Sequence, residues 1–326
     1  FIGEAEHSLR SFLVELREGG DISRVKGLVF REDGRFIYTG KPKPIDLNGY
    51  PPFPYWRHLF NPIEISRGCP YGCKYCQVSY MHGFNMRHRS IESITKYAEI
   101  MVREGIRDIR FISPNSLAYL SSKPGRPNHE VLEELFTDLY ERVVKKYGAR
   151  IFFGTFPSEV RPDYVDEDVV SLLKRCVSNK TIIIGAQTGS NQLLNRIGRG
   201  HSIEDVFNAV KAIHKHGFTA SIDFIIGLPS ESDEDLKGSL NAIKKLVKMG
   251  AKIHLHTFIP LPGTPFAFEK PRKPPKWFIK EIAKIIGMGR AYGEWMHQAR
   301  IAEKIIKLRE KGLIMPKITS SSSADH

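Results

Sequence analysis

The chain has 326 residues, enough for one large domain or two smaller ones, and its 41% hydrophobic and 26% charged content is ordinary for a globular protein. No apolar run approaches the ~20 residues that span a bilayer and nothing resembles a secretory signal, so a soluble, cytoplasmic protein with no membrane partner is expected. The formal charge of +13, from 49 basic against 36 acidic residues, suits an anionic partner such as nucleic acid. Mixed runs such as 300–311, where Glu303 and Glu310 interleave with basic residues, read equally well as a solvated, ion-paired surface, and nucleic acid is not the favoured partner.

The first 60 residues predict a small α+β segment: an amphipathic helix over 6–18, then apolar stretches at 25–30 and 36–38 around the turn Glu32-Asp-Gly-Arg35, a hairpin pattern. The opening 1–6 reads as the end of a strand running into a loop, and a Pro-rich connector follows at 42–62. From 61 to 268, short apolar runs alternate with helix-length amphipathic segments. Strands are predicted at 63–66, 109–112, 151–154, 181–186, 220–226 and 253–259, and helices at 90–104, 128–147, 165–178, 202–217 and 232–249. Ser90, Ser202 and Ser232, each followed by acidic residues, read as helix N-caps. Strands alternating with helices imply right-handed parallel crossovers. Beyond a stiff linker at 271–276, residues 269–326 predict a helical extension over 277–311 and a disordered tail from Ser320.

The first barrel-type strand runs directly into Ile65-Ser-Arg-Gly-Cys-Pro-Tyr-Gly-Cys-Lys-Tyr-Cys-Gln77, in which Cys69, Cys73 and Cys76 are spaced C-x3-C-x2-C. Three thiolates on so short a loop can occupy three irons of a cubane cluster and leave the fourth open for chemistry. They can also begin a structural zinc site with His82 or His88 as fourth ligand, although no second C-x2-C or H-x3-5-H pair follows. A disulfide pairing would leave one of the three to reach distant Cys176.

This loop, with Tyr75 before the last cysteine, resembles the signature of the radical S-adenosylmethionine superfamily. The resemblance implies a [4Fe-4S] cluster held by Cys69, Cys73 and Cys76, S-adenosylmethionine chelated at its open iron, and an electron donor of flavodoxin or ferredoxin type. It also implies an α/β fold, a partial (β/α)6 TIM-like barrel, in which the cysteine loop falls at the carboxyl end of the strands where barrel enzymes keep their sites.

Three further strand ends carry the resemblance. The second strand ends in Ser113-Pro-Asn-Ser116, in place of the Gly-Gly-Glu-like turn of many members. Ser113, Asn115 and nearby carbonyls take the role of contacting the cofactor's amino group, or simply form an Asx-type turn. The fourth ends in Gly185-Ala-Gln-Thr-Gly-Ser190 with Arg199-Gly-His201 downstream, similar to methylthiotransferases and cobalamin-associated members. Gln187 and Ser190 would meet the ribose, and Arg199 the carboxylate, unless Arg199 is a surface ion-pair residue. In the fifth, Ser221-Ile-Asp-Phe-Ile-Ile-Gly-Leu-Pro-Ser-Glu231, Ile226 and Gly227 would line the adenine pocket. Asp223 is a charge in a buried strand and needs a partner or a function. His254 and His256 share a face of the sixth strand by its period of two, as a metal pair or as satisfied barrel-lining residues.

Two enzymatic readings follow. The N-terminal stretch looks like the junction after a cobalamin-binding domain, so that 1–60 would be a connector trimmed from a larger parent, 61–268 the catalytic core, and cobalamin a cofactor of the parent. The reaction would then be methyl transfer or cyclisation on an unidentified substrate. A methylthiotransferase acting on tRNA or protein is the alternative, although the second set of three cysteines those enzymes carry is missing here, Cys176 being the one spare. A zinc-bearing nucleic-acid-binding protein is the non-enzymatic reading. Tyr80, His82, Phe84, Trp277 and Trp295 read either as lining a substrate pocket or, more in keeping with their types, as solvated or core residues.

Overall fold

The structure, a computed structural model, describes residues 1–314 and, in its backbone, the strand Ile318–Ser320. In chain order the elements are α1 (Ala5–Glu18), β1 (Val29–Glu32), β2 (Arg35–Tyr38), β3 (Ile63–Glu64), β4 (Ser66–Arg67), α2 (Val78–His82), β5 (Arg87–His88), α3 (Ile91–Arg103), β6 (Asp108–Ile112) and α4 (His129–Leu139). They continue as α5 (Lys145–Tyr147), β7 (Arg150–Phe152), α6 (Glu167–Cys176), β8 (Thr181–Gln187), α7 (Asn191–Arg196), α8 (Ile203–Lys215), β9 (Thr219–Ile226), α9 (Asp233–Lys248), β10 (Lys252–Thr257), α10 (Lys276–Gly287), β11 (Ala291–Tyr292), α11 (Trp295–Glu310) and β12 (Ile318–Ser320).

Six βα units build the barrel. β3, β6 and β7 form one parallel ladder and β8, β9, β10 and β11 another. The two halves meet where Val160 bridges Ile184 in parallel and Ile183 N–H donates to Gly154 O at 2.9 Å. Strand residues Ile63, Ile109, Phe111, Ile151, Ile182, Ile184, Ile222, Ile253 and Leu255 are almost wholly buried, as parallel strands covered by helices must be. The helices start where the capping serines stand: Ser90 accepts from Ser93 N–H, and Ser202 and Ser232 each form a capping box with the acidic residue three positions on, Asp205 and Asp235.

Two expectations are corrected. The single helix over 277–311 is broken into α10 and α11 by a short strand, β11, that extends the sheet beside β10. The break rests on Gly293, whose φ of 130° suits few other residues and whose Cβ position would lie 2.3 Å from Leu255 O, so only glycine lets the chain come this close to β10. The opening residues are not a strand end, since a helix begins at Ala5. Apart from Ser320, which closes β12 against β2, the expected disordered tail lies outside the described residues. No helix among the described residues is long and apolar enough to cross a membrane.

Candidate active site

The cysteine loop leaves β4 and returns through α2 to β5, its antiparallel partner. Its shape is fixed by backbone bonds: Cys69 N–H to Gly83 O at 3.1 Å, Cys76 N–H to Cys73 O at 3.0 Å, and Lys74 N–H to Ile197 O at 2.9 Å. Ser79 braces it from inside, its Oγ donating to Cys69 O at 2.7 Å and accepting from Gly72 N–H at 3.2 Å. Gly68 is required here, with φ of 88° and a Cβ position 2.4 Å from Asn85 O. Burial pushes the Cys69 and Cys76 thiols above their ordinary pKa, and the neighbouring Cys73 adds to the shift.

The three sulfurs do not all stand as close together as one zinc ion would hold them. Zinc at ~2.3 Å from each sulfur would hold them within about 4 Å of one another. Among the described residues the one group of His, Cys, Asp and Glu donor atoms lying within 4.8 Å of each other is Asp223, His254 and His256, not the cysteines.

Above the loop stand polar groups left without partners. Arg199 Nη1 approaches Cys73 Sγ at 3.8 Å and Nη2 donates to Gly185 O at 2.8 Å, while its Nε has no partner. Gly185 makes room for it: a Cβ there would fall 2.7 Å from Arg199 Nη2 and 2.5 Å from Gln187 Nε2. Arg161, which sequence reasoning missed, is buried with its guanidinium 3.3 Å from the centre of the Tyr71 ring and its Nε and Nη2 on Asp163, both at 3.0 Å. Its Nη1 is unpartnered. Asn115 accepts from Arg161 N–H at 3.1 Å, leaving Asn115 Nδ2 orphaned, and the adjacent Ser116 Oγ is orphaned too. His201 is buried with neither ring nitrogen partnered; burial, then the Arg199 and Arg161 charges, hold its pKa down at about 2, so it is neutral. Buried polar atoms left this way are costly unless something polar meets them.

The remaining expected residues separate. Tyr75, Gln187 and Asp223 line one cavity of about 260 Å³, with Gln187 turned by a bulge in β8 that gives it a φ of 72°. Ser113 Oγ accepts from Asn115 N–H at 3.3 Å, closing the Asx-like turn. Ser190 is committed elsewhere, as the N-cap of α7 and hydrogen-bonded to Asp235. Ile226 lines a different cavity of about 330 Å³, with Thr257, Arg272 and Trp295. Tyr80 lines an apolar cavity of about 850 Å³ between the cysteine loop and the N-terminal segment, with Phe1, Val29, Phe36, Gln77 and Met81. Phe84 packs edge-on against Tyr80, His82 faces Glu4 at 3.4 Å, and Trp277 packs edge-on against Phe278.

Asp223 has found its partners. Its Oδ1 lies 3.1 Å from His254 Nδ1 and 3.7 Å from His256 Nε2, and these two nitrogens are 3.1 Å apart. Gln298 of α11, invisible to sequence reasoning, reaches His256 Nδ1 at 3.2 Å and accepts from Thr257 N–H at 2.8 Å. Burial foremost, and then Asp223, raises the pKa of Glu159, which faces the same group. Glu159 and Arg161 lie on the irregular stretch after β7, which carries no periodic signal.

Known proteins resemble this chain in sequence and in fold. A tRNA-2-methylthio-N(6)-dimethylallyladenosine synthase of Ehrlichia ruminantium is 30% identical over 209 residues, 63% of this chain and 44% of that protein. The methyltransferase TsrM of Kitasatospora setae, solved with cobalamin and a [4Fe-4S] cluster, superposes with a TM-score of 0.63 at 16% identity, over 82% of this chain and 52% of that one. OxsB, a cobalamin-dependent S-adenosylmethionine radical enzyme, superposes at 0.62 and 17% identity, over 95% and 45% respectively. These two likenesses concern the fold, and the chain spans about half or less of the length of the curated relatives it matches. The sequence model of the radical SAM superfamily matches residues 63–261, with every one of the cysteines of the loop inside it. The chain belongs to the radical SAM superfamily, enzymes that work with a [4Fe-4S] cluster and S-adenosylmethionine.

Proposed function

We propose that residues 61–268 form the catalytic core of a cobalamin-associated radical SAM enzyme of methyltransferase or cyclase type, with Cys69, Cys73 and Cys76 as the cluster ligands. The observation that carries the core assignment is the set of orphaned polar atoms around Arg199, Arg161, Asn115 and His201 beside Cys73. When bound, the cluster and S-adenosylmethionine supply a carbon-centred radical from reductive cleavage of the sulfonium. The chain's own groups hold and shield them. Arg199 offers positive charge and an N–H beside Cys73. Arg161 and Asn115 present donors to an anionic or carbonyl oxygen. Neutral His201 has nitrogens free to accept or donate without adding charge. Tyr75 and Gln187 close the cavity from the side of β8.

Cobalamin association rests on the fold shared with TsrM and OxsB and on the 850 Å³ apolar cavity next to Gln77. Residues 1–60 would then be the connector from a further domain, and 269–326 a linker and helical extension. The methylthiotransferase reading is kept by the relatives that carry that activity in their names, the Ehrlichia synthase among them.

Anaerobic reconstitution with iron and sulfide, reduction and added S-adenosylmethionine should yield 5′-deoxyadenosine, and Cys73→Ala should abolish it. Stoichiometric zinc without cluster absorbance would sink the assignment. The full-length protein purified with bound cobalamin would favour methyl transfer or cyclisation, and a second cluster would favour methylthiolation.

A further inference from the structure

We propose that Asp223, His254 and His256 form a binding site for a single divalent first-row transition-metal ion, separate from the cysteine loop, on the inner face of β9 and β10. Two ligand atoms each ~2.1 Å from one ion stand about 3.0 Å apart at a right angle and about 3.4 Å apart at the tetrahedral angle. The observed separations among Asp223 Oδ1, His254 Nδ1 and His256 Nε2 are 3.1, 3.1 and 3.7 Å. One ion placed slightly off the plane of the three atoms therefore reaches all of them. Two imidazoles and a carboxylate on one side leave the opposite positions open, the arrangement suited to iron(II), manganese(II), cobalt(II) or zinc(II).

Hydrogen bonding alone leaves this group in conflict. Thr257 N–H fixes Gln298 Oε1 as an acceptor, so Gln298 Nε2 donates to His256 Nδ1. His256 then carries its proton on Nε2, and His254 Nδ1 must accept it. The same lone pair of His254 faces the Asp223 carboxylate at 3.1 Å, acceptor against acceptor. A proton on His254 Nδ1 satisfies Asp223 and sets two N–H groups of the imidazoles against each other. A cation between the three atoms turns all three lone pairs towards it and leaves the His256 proton on Nδ1, which the Gln298 amide meets by turning its Oε1 from Thr257 N–H to the ring.

The surroundings are those of a site. His254 stacks on Tyr292 with ring centres 4.6 Å apart and planes within 9°, and Tyr292 is held by Ser221 at 2.8 Å, so the ring plane is set. Asp223, His256 and Gln298 all line the 260 Å³ cavity that Tyr75 and Gln187 share, so the open positions face the space beside the cysteine loop. An oxygen or nitrogen donor of a substrate is the ligand class they would take.

The test uses the cluster-loaded chain under anaerobic conditions. Manganese(II) is titrated by the electron paramagnetic resonance signal of the free ion, and zinc(II) by equilibrium dialysis. One saturable ion per chain beyond the cluster's iron is expected, with affinity falling about 100-fold in His256→Gln and Asp223→Asn and about 10-fold or more in Gln298→Ala. Cluster iron and circular dichroism should stay as in the wild type. Absence of a saturable ion in the wild-type chain overturns the proposal regardless of how the variants fold. So does binding that survives both ligand substitutions unchanged. Failure here leaves cleavage of S-adenosylmethionine untouched, because that reading depends on the cysteine loop.

Discussion

At the scale of single residues, the candidate site depends on what glycine leaves out. Gly185 has no Cβ, and a methyl group there would displace the ends of two flexible side chains, Arg199 and Gln187, while leaving backbone atoms clear. Gly185→Ala should therefore fold normally and yet pull Arg199 away from Cys73. If Cys73 is a cluster ligand, losing a nearby positive charge and an N–H to sulfur makes the cluster harder to reduce. Redox titration followed by electron paramagnetic resonance should show the midpoint moving to more negative potential in Gly185→Ala and in Arg199→Gln alike. A shift in Arg199→Gln alone would mean that Gly185 does not govern the arginine. The cysteines and Arg199 were legible because they are close in sequence or belong to a spaced motif. Arg161 and His201 were not singled out, because what marks them is burial without a partner, a property of the folded chain.

At the scale of elements, the six strands and the five helices between them were readable, since each carries its own period and three of the helices a capping serine. Where tertiary contact decides, the reading failed. The helical pattern of 277–311 runs on through the sequence, and only the approach of Gly293 to Leu255 shows why it must break. The turn between β9 and α9 is a second such place. Glu231 is 6% exposed and its Oε2 accepts from Gly227 N–H at 3.1 Å, yet burial pushes its pKa up to about 7 despite that bond. A carboxyl that binds its proton more tightly in the folded chain stabilises it fully below about pH 4.5, and that stabilisation is lost as pH rises through about 7. The effect is on the order of 3 kcal/mol, at ~1.4 kcal/mol for each pH unit between those values. Urea midpoints at pH 5 and pH 8 should therefore differ more in the wild type than in Glu231→Gln, whose amide can still accept from Gly227. Equal differences would show that Glu231 ionises freely.

At the scale of the whole molecule, many of the charged groups behind the formal charge of +13 sit in local ion pairs, with Arg142 alone reaching Glu92 at 2.9 Å, Glu99 at 2.9 Å and Asp138 at 3.7 Å. The same chemistry joins the N-terminal segment to the barrel. Glu4, its side chain 3% exposed, is hydrogen-bonded to Arg87, accepts from Ile45 N–H at 2.8 Å, and lies 3.7 Å from Arg67 Nη1 and 3.4 Å from His82 Nδ1. Arg67 in turn binds Glu64 and Glu6, both at 2.6 Å. Burial works against the Glu4 charge, but Arg87, the Ile45 N–H and Arg67 outweigh it and hold the carboxyl below its ordinary pKa. Arg67 precedes the cysteine loop, while His82 and Arg87 follow it, so one carboxylate clamps both sides of the loop to α1. Removing one charge from such a buried set costs about 3–5 kcal/mol because its partners stay buried and unbalanced. Glu4→Gln should accordingly loosen the clamp as a unit. Amide hydrogen exchange should speed up in α1 and across 67–88 together, while β9 in the barrel core exchanges as before. Faster exchange confined to α1 would mean that the segment rests on the barrel without bracing the loop.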